Sequence, residues 1–256
     1  EPRPVTVFQE TPTQRGLPRD SSEDRPSIRH LTLLTLGILL VHCVCLGNGF
    51  VDFDDDTIFL NNPALKLPFG EMFSQVFDWD RADTWRPIRD LSHWFDWIAH
   101  GQSPGWAHFH NLVLLGLVIV CFRTLLSRWR IAPGVANLTV VIAFIHPVQV
   151  EAIAWVSGRK ELLAAIFFFL MLHAFESFLR NRRATLWAAV TTVCFVLGLM
   201  SKGHIIVGPV VLIVMVFGLR FRRATDLKRS RLAITALVVT LLGIAVLFVP
   251  RIAAGG

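Results

Sequence analysis

The 256-residue sequence predicts an all-α fold. Its architecture is a polytopic membrane helix bundle of about seven spans, with an extracytoplasmic loop of amphipathic helices between spans one and two. Three observations predict it. The chain is 53% hydrophobic and only 17% charged, with a mean hydropathy of +0.53, a balance typical of integral membrane proteins. Seven apolar stretches approach the ~17–25 residues that a spanning helix needs. No barrel-like alternation runs through them, and helices satisfy their own backbone hydrogen bonds in hydrocarbon.

Residues 1–27 are polar and proline-rich and read as a disordered cytoplasmic tail rather than a cleavable signal peptide. The transmembrane domain is expected over residues 28–250, with spans at 28–46, 109–126, 135–150, 162–179, 184–200, 204–219 and 232–249. The third and sixth are short and each carries a proline. Residues 251–256 read as the start of a further C-terminal region. Cys43, Cys45, Cys121 and Cys194 all lie within apolar spans. None has metal-ligand spacing, and they read as small buried hydrophobes.

Lys and Arg fix the expected orientation. The N-terminal tail and the turns after spans two, four and six hold 17 of them, and the alternate segments hold eight. Basic residues concentrate on the cytoplasmic side, so the N-terminus is cytoplasmic and the loop at residues 48–107 is outside. The expected location is a bacterial inner membrane, with the site on its periplasmic face or on an equivalent lumenal face. Because topology accounts for the net charge of +6, no nucleic-acid partner is called for. A transporter reading finds little support, since no polar stripe runs through successive spans.

The outer loop has ten acidic residues against four basic ones. Ile88, Leu91, Phe95 and Ile98 recur at helical spacing beside Trp94 and Trp97. That pattern predicts an amphipathic helix in the interface, with Trp at headgroup depth. Residues 71–79 predict a shorter one.

Polar motifs gather on this outer side. Three carboxylates stand in a row at Asp54, Asp55 and Asp56. Adjacent carboxylates repel, so such a run suits a general base, a divalent cation held by Asp54, Asp55 and Asp56, or a solvated acidic loop. Arg86, in Trp85-Arg86-Pro87, suits either a phosphate clamp or a headgroup anchor. His108, His110 and Asn111 open the second span, either as a polar cluster at a site mouth or as caps. His146-Pro147 breaks the third span near its outer end. Glu151, Trp155, Ser157, Gly158, Arg159, Lys160 and Glu161 follow in a short connection, as in broken helices that line cavities. Arg159 and Lys160 could neutralise a phosphate or pair with glutamates to close the turn. Lys202, in Ser201-Lys202-Gly203-His204, could reach the same anion or be solvated. His173 and Glu176 share a helix face at the opposite end and read as an interhelical contact.

In order, these motifs resemble the membrane domain of the transmembrane and tetratricopeptide-repeat O-mannosyltransferase family and its bacterial relatives, within the GT-C class of polyprenyl-phosphate-sugar glycosyltransferases. The stretch from His146 to Leu163 is the most specific match, and the resemblance covers about residues 30–215. It implies that Asp54 or Asp55 is the catalytic base. It implies that Arg86, His110, Glu151, Arg159, Lys160 and Lys202 form the group that meets substrate and the lipid-linked phosphate. Gly203 stands where the family usually has an acidic residue, the second span lacks a second histidine, and the tetratricopeptide repeats are absent.

The expected function is transfer of a sugar, with mannose favoured, from a polyprenyl-phosphate donor to an acceptor hydroxyl on the outer face. The alternative is a non-catalytic GT-C-like scaffold subunit of a larger membrane complex. The expected partners are the bilayer, the polyprenyl-phosphate sugar, and a protein acceptor or other subunits. The only cofactor considered is a divalent cation.

Overall fold

A computed structural model describes residues 27–52, 54–79, 85–180, 183–221 and 231–254, and contains no strand among them. Of the tail expected at residues 1–27, residues 1–26 lie outside the described residues. The α-helices are α1 (Ile28–His42), α2 (Phe69–Val76), α3 (Pro87–His100), α4 (Pro104–Arg128), α5 (Pro133–Ile145), α6 (Val150–Ala154), α7 (Arg159–Arg180), α8 (Ala184–Ser201), α9 (Gly208–Phe221) and α10 (Arg231–Ala254). Local chemistry sets several of their ends. Ser27 caps α1, its hydroxyl accepting from the His30 amide. Helices α3, α4 and α5 each carry a proline in the first turn, where no amide partner is lost.

Among the described residues, five helices are long and apolar enough to cross a membrane: Ile28–Gly47, Pro104–Arg128, Val156–Arg180, Ala184–Ser201 and Arg231–Pro250. Pro133–Ile145 and Pro147–Ala154 form a sixth candidate, bent by 56°. The sixth stretch expected from sequence becomes a shorter apolar helix, Gly203–Gly218, so the described residues hold five or six candidate spans where seven were expected. The bend falls at His146-Pro147, which can no longer continue the helical ladder. The groups freed there find partners. The Val148 amide donates to His146 Nδ1 at 3.2 Å, and His42 Nε2 donates to the Phe144 carbonyl at 2.7 Å. The second bond ties α1 to the break.

Helix α7 is the hub. On one side it packs with α8, α9 and α10 around Phe175, Phe195, Leu212 and Leu241. On the other it meets α1, α4 and α5 around Ile38, Leu115, Val140 and Ile166. At the end away from the acidic loop, fully buried Glu176 accepts from Arg128 Nε at 2.6 Å and from the Arg180 guanidinium. His173 bonds the Cys121 carbonyl at 2.9 Å. The bonds to Arg128 and to Cys121 join α7 to α4.

The loop between α1 and α4 is structured. It has its own core of Phe59, Leu65, Met72, Val76 and Trp94, and the Trp94 indole donates to the Leu67 carbonyl at 3.1 Å. Trp79 and Trp85 pack on Phe248 of α10. Helix α3 forms where the apolar period predicts it, but Phe95 and Ile98 of that face are exposed, while Ile88 and Leu91 are half-buried. Its buried residues are Arg89, Asp90, His93, Trp94 and Asp96. This inside-out arrangement places polar groups against the bundle and prepares the site.

Candidate functional site

The first carboxylate of the run and the second do different things. Asp55 is fully buried. Its Oδ1 accepts from the Ser157 amide at 2.9 Å and the Ser157 hydroxyl at 2.5 Å, and its Oδ2 accepts from the Val51 amide at 3.0 Å. It therefore pins the loop after α1 to the connection before α7. The side chain of Asp54 is 34% exposed and lies 3.3 Å from Lys160 Nζ. Asp56 starts a short π-helical turn, Asp56–Leu60. Among the described residues, no three His, Cys, Asp or Glu side chains are placed to hold a metal ion. Two protein amides and a hydroxyl already engage both oxygens of Asp55, so the residues present do not fit the divalent-cation site considered for Asp54, Asp55 and Asp56.

Arg159 and Lys160 diverge in the same way. Arg159 is fully buried. Its Nε donates to Asn111 Oδ1 at 2.8 Å, its Nη1 to the Ser92 carbonyl and hydroxyl at 3.3 Å each, and its Nη2 to the Ala107 carbonyl at 2.9 Å. Nη2 also lies 2.5 Å from Asp96 Oδ2. The other oxygen of Asp96 meets His110 Nδ1. Arg159, Asp96 and His110 thus lock α3, α4 and α7 together, and the guanidinium has no exposed face. Lys160 turns towards open space, its ammonium over the Trp155 ring at 5.2 Å from the centroid.

That space is a cleft of about 560 Å³ lined by Glu151, Trp155, Gly158, Lys160, Glu161, Lys202 and His204, among others. Lys202 pairs with Glu161 across it. Arg86 is close enough for its charge to act on Asp54, Lys160 and Lys202. Burial, and then Arg89, lower its proton affinity, while Asp54 and Asp90 raise it. Of the residues singled out from sequence, Glu151, Lys160 and Lys202 line this cleft, Asp54 pairs with Lys160, and the charge of Arg86 reaches Lys160 and Lys202. Asp55, Arg159 and His110 stand behind the cleft. Asp96 and His204 were not singled out. Asp96 was legible only as part of a buried polar period with Arg89 and His93, and His204 as the neighbour of Lys202.

Behind the cleft, His93 is fully buried, with neither ring nitrogen bonded. Its ring packs edge-on to Phe59 at 5.4 Å. Burial, and then Arg159, Arg89 and Lys160, hold it well below the ordinary 6.5. A histidine held neutral by the fold binds its proton more readily when unfolded. Its contribution is therefore present above about pH 6.5 and lost as pH falls below it. Replacing His93 with Leu is expected to leave stability at pH 8 within about 1.5 kcal/mol and to flatten the loss between pH 6.5 and 5. Thermal unfolding across pH checks this, and an unchanged acid slope would count against it.

The chain is 30% identical over 152 residues to a protein O-mannosyl-transferase of Caenorhabditis elegans, covering 55% of this chain and 22% of that protein. It is 28% identical over 156 residues to human protein O-mannosyl-transferase TMTC1, covering 54% and 17%. It is 25% identical over 187 residues to human TMTC3, covering 68% and 20%. No protein-family model and no solved structure matches. The chain thus spans about one fifth of the length of such relatives. Over roughly half of its residues it resembles the TMTC protein O-mannosyl-transferases.

Proposed function

We propose that the chain is the membrane part of a glycosyltransferase that moves a sugar, mannose by the names of its relatives, from a polyprenyl-phosphate donor to an acceptor hydroxyl. The observation that carries this reading is Asp54, a part-exposed carboxylate 3.3 Å from Lys160, which lines a cleft together with Lys202. Asp54 takes the acceptor's hydroxyl proton. The acceptor oxygen then bonds to the anomeric carbon as the bond from that carbon to the phosphate oxygen breaks, leaving its electron pair on the phosphate. Lys160, Lys202 and Arg86 stabilise that departing charge. Asp55 and Arg159 are positioning residues, acting through Ser157 and through the first turn of α7. With the N-terminus cytoplasmic, the cleft faces the periplasm or lumen.

The test is transfer by the purified protein in lipid nanodiscs, supplied with a polyprenyl-phosphate mannose and a Ser/Thr-containing peptide. Mannosylated peptide is expected from the wild type and none from Asp54→Asn. A scaffold role is the second reading. It is favoured by the pairing of both cleft lysines with the protein's own carboxylates. Absence of transfer by the wild type, together with stoichiometric co-purification of other subunits, would establish that reading instead.

A further inference from the structure

The two cleft lysines are both occupied in the free protein. Lys160 sits 3.3 Å from Asp54 Oδ2, and Lys202 is paired with Glu161. The four side chains come from three separated segments: the loop after α1, the start of α7 and the end of α8. Lys160, Glu161 and Lys202 all line one cleft of about 560 Å³, and Glu151 adds a further carboxylate to its wall. An incoming phosphate therefore meets cations whose charge is already offset.

We infer that Asp54 and Glu161 act as internal counter-ions, a latch that an anionic phosphate ligand must displace from Lys160 and Lys202. The inference rests on the phosphate-site reading above and adds a coupling to it. The lysine that takes the phosphate is the one that releases Asp54. Until the phosphate arrives, the Asp54 carboxylate is engaged by an ammonium, and an engaged carboxylate is a poor acceptor for a hydroxyl proton. Once the phosphate holds Lys160, Asp54 is free to face the acceptor. Donor binding thus precedes and enables acceptor deprotonation. Both pairs are part-exposed, with side-chain exposures of 11% and 34% for one and 29% and 28% for the other. They are therefore weak enough to exchange. The Trp155 ring beside the Lys160 ammonium gives that lysine a contact it can keep while Asp54 is displaced.

The inference gives the two members of each pair opposite signs. Farnesyl phosphate is the probe, with inorganic phosphate as competitor, measured by calorimetry on the full chain in nanodiscs at fixed ionic strength. Asp54→Asn and Glu161→Gln are each expected to bind the probe about two- to five-fold tighter than wild type, the range of an exposed ion pair. Lys160→Gln and Lys202→Gln are expected to bind it more weakly. If the lysine variants weaken binding while Asp54→Asn and Glu161→Gln leave it unchanged or weaken it, the latch is wrong and the phosphate site stands. If wild type and all variants fail to bind, the phosphate site and the latch fall together. Asp54→Asn that loses transfer without gaining affinity keeps the base and overturns the latch. Because Asn and Gln preserve shape in these part-exposed positions, folding is checked by thermal unfolding of the same samples.

Discussion

Replacing Arg159 with Gln is expected to destabilise the protein by about 3–5 kcal/mol, the cost of breaking a buried ion pair by removing one partner. Arg159 is fully buried and Asp96 nearly so, so the stranded carboxylate cannot turn to water. The substitution also strips donors from Asn111, Ser92 and Ala107, and a buried acceptor left without its donor costs a further ~1–3 kcal/mol. Helix α3 is held to the bundle largely by its polar face, so it should detach first. The measurement is thermal unfolding with protease sensitivity of the 85–103 segment. A double variant, Arg159→Met with Asp96→Leu, should recover much of the loss, because no charge is then left buried. If Arg159→Gln unfolds like wild type and only weakens phosphate binding, Arg159 belongs to the ligand site and not to the frame.

Gly158→Ala is expected to be nearly as damaging locally. A Cβ there would stand 2.8 Å from the Glu151 carbonyl oxygen and 2.9 Å from that of Ala152. Both are backbone atoms of α6, so no side chain can swing aside. Overpacking of this kind costs about 1–3 kcal/mol. The relief available is to push α6 away from the start of α7, which separates Glu151 from Lys160 across the cleft. Farnesyl phosphate binding should fall along with the melting temperature, whereas at open Gly134 the same substitution should change neither. A Gly158→Ala protein with wild-type binding would mean that the cleft tolerates this displacement.

The bundle was legible because lipid imposes long apolar runs, and the α5–α6 break because proline interrupts one of them. What was not legible was the division of labour within adjacent pairs. Asp54-Asp55 and Arg159-Lys160 look like duplicated charges in the sequence. Neighbouring residues on a helical turn point about 100° apart, so one of each pair enters the frame and the other reaches the cleft. Which one does so depends on the register of the turn, and Ser157 and Asn111 set that register through partners scores of residues away. Helix α3 shows a related limit. Its apolar period was readable, but in a membrane protein such a face can meet lipid as readily as a core. The inward polar face, and with it Asp96, was therefore not assigned. The sixth expected stretch differs for a simpler reason: Gly203–Gly218 is too short to count as a span by length.

On the proposed mechanism, Asp54 carries the proton transfer and Asp55 only holds the frame. Sugar transfer and thermal unfolding of Asp54→Asn and Asp55→Asn, measured side by side on the same nanodisc samples, test it most directly. Asp54→Asn is expected to melt like wild type and to lose transfer by the ~10²–10⁴-fold typical of general-base removal. Asp55→Asn is expected to melt lower, because its bonds to Ser157 and Val51 are weakened, while the folded fraction retains some transfer. Wild-type transfer by Asp54→Asn, or a stable Asp55→Asn protein with no transfer, would contradict that mechanism.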